Sequence, residues 1–162
     1  MTTKRLFEFP NPVNEVSARL VAGGVVTMCL AFLVLGQRWV LIPLTYGFIA
    51  RVLTGPTLSP LGSLVTAVVT PRLGLPVRET PGPPKRFAQG IGATLATAAS
   101  IAYYGFGSTT GSGVLVSMIA VAASLEAFVG YCLGCRIFAL LMARGVISEG
   151  ICEACADLSK RQ

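Results

Sequence analysis

Four long stretches of mostly apolar residues run along the chain, separated by short polar or proline-rich segments. Because one bilayer crossing takes about 20 apolar residues, they predict membrane-spanning helices at about 17–35, 39–53, 87–106 and 114–143. The last stretch is longer than a bilayer requires, so its final turns are expected to tilt or to emerge at the membrane surface. The pattern predicts an all-α fold, an integral membrane four-helix bundle that forms a single domain over residues 1–162.

The segment between the second and third stretches has a different pattern, with frequent prolines and several basic residues. Within it, Ser59 and Pro60 form a helix-start signal, and the apolar residues of 60–70 recur on one helical face. About 11 residues are too few to cross a bilayer. We therefore expect a short helix that is either interfacial or re-entrant, a re-entrant helix being one whose backbone is buried in protein.

Two further local patterns predict details of the helices. Before the first apolar stretch, Asn11 is expected to cap the helix, with Pro12 at its first position and Glu15 in its first turn. Small residues recur at every fourth position of the third stretch, and such stripes allow helices to approach closely. They predict a central packing helix or a dimerisation surface: Ala88, Gly92, Ala96 and Ser100, and beside them Gly90, Thr94, Ala98 and Ala102.

Composition strengthens the membrane interpretation and limits the chemistry. Of the 162 residues 53% are hydrophobic and 12% are charged, whereas a soluble domain has about 25% charged residues. The mean hydropathy is +0.71. Four crossings leave no room for a large soluble catalytic domain, and the absence of histidine excludes acid or base catalysis by imidazole. Five cysteines make sulfur the notable reactive element.

The net charge of +6 follows from basic residues that flank the apolar stretches. A nucleic-acid binder would instead cluster them with aromatic residues on one soluble face, so we expect no nucleic-acid partner. Short cytoplasmic loops are rich in Lys and Arg, and only Arg38 falls in a segment expected outside. Both termini and the tail at 144–162 are therefore predicted to be cytoplasmic. The residues expected inside are Lys4, Arg5, Arg19, Arg51, Arg72, Arg78, Lys85, Arg86, Arg136, Arg144, Lys160 and Arg161.

Two CxxC pairs near the end of the chain are the strongest candidates for chemistry. Cys132 and Cys135 fall in the last apolar stretch, and Cys152 and Cys155 fall in the tail. Their spacing fits a four-thiolate metal site for zinc or an iron-sulfur cluster, and it fits a dithiol relay equally well. Arg136 adjoins the first pair and would favour the reactive thiolate form. Both interpretations place the four sulfurs at one membrane face.

Two further residues in the apolar stretches need an explanation. Cys29, alone in the first stretch, is expected to pack as a small apolar residue. Glu126 is an acid within an apolar run and is expected to face a partner or a cavity. Its predicted role is an ion pair with Arg51 or Arg19, or proton relay to the cysteines. Six residues separate it from Cys132, so on one continuous helix the two would not share a face.

The segment Asn11–Glu15 before the first helix, together with Cys132–Cys135 in the last, resembles an uncharacterised family of small four-helix bacterial membrane proteins. The family is widespread in actinobacteria and is classed as a domain of unknown function. Its members are found beside, or joined to, thioredoxin-like and rhodanese-type sulfur-transfer proteins. The resemblance implies a bacterial inner-membrane location, sulfur or redox chemistry and partners of those two kinds, but no established reaction.

The leading hypothesis is thiol-disulfide exchange or persulfide transfer at Cys132 and Cys135 with soluble partners. Cys152 and Cys155 would carry electrons or sulfur to or from these partners. In a second hypothesis the four thiolates bind zinc or an iron-sulfur cluster in a structural or assembly role. A third is a membrane thiol oxidoreductase that passes electrons to quinone. A fourth is transport of a small sulfur anion, with Arg51 and Glu126 as pathway groups. Whether the chain is an enzyme and whether it forms a homo-oligomer stay open at this point.

Overall fold

The structure is a computed structural model that describes residues 11–74 and 78–147. Helices dominate this part of the chain, so the all-α class is supported. The α-helices are α1 (Glu15–Leu33), α2 (Leu41–Thr54), α3 (Pro60–Leu64), α4 (Thr70–Leu73), α5 (Gly82–Ser100), α6 (Thr109–Ser124) and α7 (Leu133–Ala143).

Shorter elements extend or connect these helices. A turn of 3-10 helix, Arg38–Val40, leads into α2. Turns of the wider π-helix join α3 to α4 at Val65–Val69 and continue α5 at Ile101–Gly105 and α6 at Leu125–Val129. Two-residue strands β1 (Val13–Asn14) and β2 (Glu79–Thr80) pair antiparallel, with Val13 opposite Thr80.

Within residues 11–74 and 78–147, two helices are long and apolar enough to cross a membrane, judged by length and composition. They are Glu15–Leu33 and the continuous stretch Thr109–Val129. Helix α2 has 14 residues and α7 has 11, so each is shorter than a standard crossing. The structure supports two potential spans, and the four-crossing bundle stays a prediction.

The start of α1 differs from the prediction. Asn14, not Asn11, is the cap, and its side chain accepts a hydrogen bond from Val16 N at 3.0 Å. The chain is still extended at Val13–Asn14 because these residues pair with β2, so Pro12 precedes the helix. The Asn11 side chain instead accepts from the backbone N–H of Gly82 at 3.0 Å. The segment predicted to start one helix therefore ties the starts of α1 and α5 together.

The short helix predicted at 60–70 is confirmed, and the structure shows which side is buried. Ser59 caps it by accepting from Gly62 N at 3.3 Å, and Pro60 occupies its first turn. Gly62 and Val65 are buried, while Leu64 is 54% exposed. One face of the helix thus packs on the protein and the other presents apolar side chains outward, an arrangement compatible with an interfacial or a re-entrant position.

Helix α5 is the packing centre, as the first small-residue stripe predicts. A side chain at Gly92 would overlap the ring of Phe48 on α2, so the absence of a Cβ is what lets the two helices approach. At the last residue of α5, Ser100 Oγ lies 2.8 Å from Thr45 Oγ1. The buried cluster around this contact contains Val25, Val26, Cys29, Phe32, Leu41, Leu44, Phe48, Ala96, Ala99, Val116, Ile119 and Ala123.

The predicted single helix over 114–143 is interrupted. The helical stretch begins earlier, at Thr109, and ends at Gly130, whose φ of 74° is left-handed. Glycine adopts this conformation without the steric cost that other residues incur. Arg19 stabilises the helix end by donating to the carbonyl of Ala127 at 3.2 Å and to that of Phe128 at 3.1 Å. Cationic side chains suit the free carbonyls at a helix C-terminus.

The close contact of α5 and α2 can be tested with a matched pair of substitutions. Gly90 and Gly92 lie on the same helix, but a Cβ at Gly90 would meet no atom within 4 Å. Both changes to alanine add the same helix propensity. We expect Gly92→Ala to be less stable than Gly90→Ala by about 1–3 kcal/mol, because overpacking must displace Phe48. Reversible unfolding in mixed micelles measures the difference, and equal stabilities would contradict the packing.

Candidate functional site

The break at Gly130 places Cys132 directly before the first residue of a new helix. Cys132 is the N-cap of α7, with φ −86° and ψ 101°, and its Sγ accepts a hydrogen bond from Cys135 N at 3.3 Å. The free N–H groups and the dipole of a helix N-terminus stabilise a thiolate at this position. Sequence reasoning had placed Cys132 inside a continuous helix, where this stabilisation is absent.

Cys132 and Cys135 form a disulfide in the structure, with their Cα atoms 5.2 Å apart. That separation lies in the normal range for a disulfide. Both residues are half-buried. The two sulfurs of the first predicted pair therefore lie close enough to bond to each other.

Arg136 lies directly after this pair, as its position in the sequence requires. It is exposed, and its guanidinium carbon lies 5.3 Å from the ring centroid of Tyr131, which suits a cation–π contact. Tyr131 immediately precedes Cys132. In the described part of the chain no hydrogen bond joins Arg136 to either sulfur, so its predicted effect on the thiolate stays a prediction.

Glu126 forms its ion pair with a residue that was not predicted, while its charge still acts on the predicted partner Arg51. Its carboxylate forms an ion pair with Lys85 at the start of α5, and Arg19 is engaged by the carbonyls at the end of the α6 stretch. The side chains of Lys85 and Glu126 are 8% and 15% exposed. Lys85 was missed as a site residue because sequence alone assigned it to the basic loop before the third apolar stretch.

Glu126 and Cys132 nevertheless line the same cavity, of about 100 Å³. On a continuous helix they would point in different directions, but the turn at Gly130 redirects the chain between them. Helix α7 then packs on α5 where Gly134 meets Ala88, and a Cβ at Gly134 would lie 2.5 Å from that of Ala88. The helix break and this close contact together bring the cysteine pair to the cavity.

Arg51 also lines this cavity. Its place near the end of an apolar stretch would have allowed the side chain to reach the membrane surface, but the side chain stays inside the protein. Its side chain is buried, with 5% exposed. The guanidinium stacks 4.5 Å from the ring centroid of Phe48. Among the described residues, its Nε has no hydrogen-bond partner. A buried polar atom without a hydrogen-bond partner lowers the free energy of unfolding.

Gln89 completes the wall of the cavity and was not recognised from the sequence. Its Oε1 is buried and, within residues 11–74 and 78–147, has no hydrogen-bond partner. It lies four residues after Lys85 on α5, so the two are neighbours on one helical face. Two long polar side chains four positions apart, in a helix made mostly of small and apolar residues, were the sequence signal that could have identified Gln89.

A second cavity, of about 230 Å³, shares Arg51 and Gln89 with the first. Asn14 and Lys85 are among its other lining residues. The two segments that carry the family resemblance, Asn11–Glu15 and Cys132–Cys135, therefore lie on opposite sides of one buried polar wall.

The second cysteine pair, Cys152 and Cys155, lies outside the described residues. Within the described ranges no group of three or more Cys, Asp or Glu side chains is arranged to hold a metal ion, and the four-thiolate site stays a prediction. Cys29 is fully buried, with 0% exposed, in the cluster around α5. Its predicted role as an apolar packing residue is confirmed.

Comparison with known proteins gives one match. A family model described as a domain of unknown function, DUF4395, covers residues 13–143. This range includes the Cys132–Cys135 pair, the whole lining of the first cavity and that of the second except Pro12. No curated protein and no solved structure matches the chain.

The role of the helix break can be tested with two glycines of the same conformation. Gly36 and Gly130 have φ of 64° and 74°, and alanine at either costs about 1–2 kcal/mol. We expect Gly130→Ala to slow alkylation of reduced Cys132 roughly two- to fivefold, since it favours helix continuation and weakens the N-terminal charge effect. Gly36→Ala should leave the rate unchanged, and equal rates in the two variants would refute the role of the break.

Proposed function

The chain belongs to the DUF4395 family, and we propose that it is an integral membrane protein whose Cys132–Cys135 pair exchanges electrons with a soluble thioredoxin-like protein. The observation that carries the proposal is the position of Cys132 at the N-cap of α7, bonded to Cys135. A thiolate in this position is both a good nucleophile at neutral pH and a good leaving group.

The membrane location is supported by apolar stripes on the outer faces of the helices. On α2 and the turn before it, exposed apolar residues recur at helical spacing: Trp39, Ile42, Tyr46, Ile49 and Leu53. The same holds on α6 for Val114, Met118 and Val121, and on α7 for Leu133, Ile137 and Leu140. Surface helices of soluble proteins are polar on this side, and exposed apolar area of this extent marks contact with lipid or another chain.

The cytoplasmic orientation is supported by the arrangement of charge in the structure. Arg51 and Lys85 line a common cavity, and Glu126 joins Lys85 to the end of the α6 stretch that Arg19 caps. These basic residues therefore lie at one end of the bundle, beside the cysteine pair. Arg38 lies at the opposite end, where its carbonyl accepts from the hydroxyl of Tyr104. Basic residues favour the cytoplasmic face.

The proposed cycle begins with the oxidised pair. A thiolate of the reduced partner attacks Cys132 Sγ, the bond between Cys132 and Cys135 breaks, and its electron pair leaves on Cys135, which takes up a proton. The second thiolate of the partner then attacks the partner's own sulfur in the mixed disulfide and releases Cys132 as a thiolate. Two electrons pass from the partner dithiol to this chain, and the partner leaves as a disulfide. The reverse sequence oxidises this chain.

In this scheme Cys152 and Cys155 of the tail carry equivalents between the partner and the first pair. In persulfide transfer, the Cys132 thiolate would attack the outer sulfur of a persulfide on the partner. The sulfur–sulfur bond of that persulfide would break, and the partner's cysteine would leave as a thiolate. Identification of the species attached to Cys132 separates the two forms of the chemistry.

The exchange can be tested by trapping its intermediate. The probe is a thioredoxin-like protein with one active cysteine, supplied as its mixed disulfide with thionitrobenzoate. Reduced Cys135→Ala/Cys152→Ala/Cys155→Ala protein should accumulate a stable adduct with this probe through Cys132, because the thiols that could resolve the mixed disulfide are absent. The wild type should release the probe as a thiol and form the Cys132–Cys135 disulfide. Non-reducing electrophoresis and peptide mass spectrometry identify the species.

Cys29→Ala is the matched control, since it removes a buried cysteine, and it should behave as the wild type does. In Cys132→Ala protein, any adduct at Cys135 should form much more slowly than the adduct at Cys132 forms when Cys135 is absent. An adduct that forms equally fast on Cys132→Ala protein, or that maps to Cys135 in the wild type, contradicts the assignment of Cys132 as the attacking thiol.

The orientation can be tested with a membrane-impermeant maleimide on intact cells. Cys152 and Cys155 should be labelled only after permeabilisation if the tail is cytoplasmic. Thr110→Cys places a thiol at an exposed position at the start of α6, at the opposite end, and should be labelled in intact cells. Labelling of the native tail from outside would place the cysteines on the other face and would favour exchange with an external partner or quinone.

A further inference from the structure

The two cavities that meet at Arg51 contain more positive charge than negative charge. Arg51 is buried, and its Nε has no hydrogen-bond partner among the described residues. The other two charged side chains in the cavity walls, Lys85 and Glu126, neutralise each other in an ion pair. Among the described residues, the walls therefore carry two positive charges and one negative charge, a net charge of one positive.

A buried cation is costly because it loses its hydration. At Arg51 the attraction of Glu126 offsets this cost only in part, since the same carboxylate is already paired with Lys85. Water molecules in the cavities can satisfy hydrogen bonds, but they do not neutralise the charge. The stacking of the Arg51 guanidinium on Phe48 covers one face of the group and leaves donors at its edge. The edge of a guanidinium matches a planar oxyanion, to which it can donate two parallel hydrogen bonds.

Gln89 supplies the second half of the site. Its Oε1 is buried without a partner and lines the same two cavities. The amide can accept a hydrogen bond from a protonated ligand, or it can rotate by half a turn and donate to a deprotonated one. A cavity of about 100 Å³ exceeds the space that one water molecule needs and is small for an organic ligand of drug size.

We propose that Arg51 and Gln89 bind one small, planar, monovalent oxyanion of the carboxylate class in the cavity that Cys132 also lines. The monovalent charge matches the net charge of the described walls. The guanidinium edge suits carboxylate and phosphate geometries alike, and the small volume of the cavity favours the smaller, planar class. The site does not depend on the thiol cycle, so it can exist whether or not Cys132 exchanges electrons.

The test uses the full-length chain purified in detergent, with sodium formate and sodium nitrate as probes, and sodium chloride and sodium sulfate at matched ionic strength as comparisons. Formate and nitrate should raise the unfolding temperature with a saturable dependence, and calorimetry should give about one site per chain. Chloride should have at least a tenfold weaker effect. An equal shift with chloride, or no saturable shift with formate or nitrate, would overturn the proposal.

Variants locate the site. Arg51→Gln should lose the shift, while the exposed Arg72→Gln should retain it. Gln89→Leu guards against a folding artefact, since it removes the unpartnered Oε1 and should be at least as stable as the wild type without anion, yet bind formate at least tenfold more weakly. Retention of full affinity in Arg51→Gln or Gln89→Leu contradicts the proposal.

A last variant separates this site from the thiol chemistry. Cys132→Ala/Cys135→Ala should bind formate with affinity near that of the wild type. If formate raises the unfolding temperature and thiol exchange is absent, only the proposed function fails. If exchange proceeds and no oxyanion binds, only this inference fails.

Discussion

The close approach of α5 to its neighbours is the constraint on which the rest of the structure depends. Gly92 has no side chain, so the ring of Phe48 lies against the α5 backbone, and Ala88 one turn earlier is small enough to admit Gly134 of α7. Dispersion contacts of this kind are the main source of helix association where the surroundings are as apolar as the side chains. The same small residues that hold α2 also determine where α7 and its cysteines lie.

This packing leaves a polar wall inside an otherwise apolar bundle. Phe48 fixes one face of the Arg51 guanidinium, and the Lys85–Glu126 ion pair links the start of α5 to the α6 stretch. A buried ion pair is weak evidence for stability, and an ionisable residue within an apolar segment is a candidate for function. The turn at Gly130 then brings Cys132 to this wall. Cys132 and the buried Arg51 guanidinium consequently line one cavity.

The helices could be predicted from sequence to the extent that each depends on local pattern. Apolar runs identify α1 and α6, and the fourfold spacing of small residues identifies the packing face of α5. The break at Gly130 could not be predicted, because glycine is common within membrane helices and is no stop signal there. Arg19, which caps the broken end, lies 108 residues away. The partners of Arg51 and Glu126 likewise depend on tertiary packing, so the cysteines were recognised but their cavity was not.

The proposed exchange requires Cys132 and Cys135 to cycle between disulfide and dithiol in the native membrane. Cells can be quenched in acid after brief oxidant or reductant treatment, and differential alkylation with mass spectrometry then gives the oxidised fraction of the peptide that contains both residues. We expect both forms to be present, and the oxidised fraction to rise with oxidant and fall with reductant within minutes. A fraction that stays fixed under both treatments would contradict the proposed exchange.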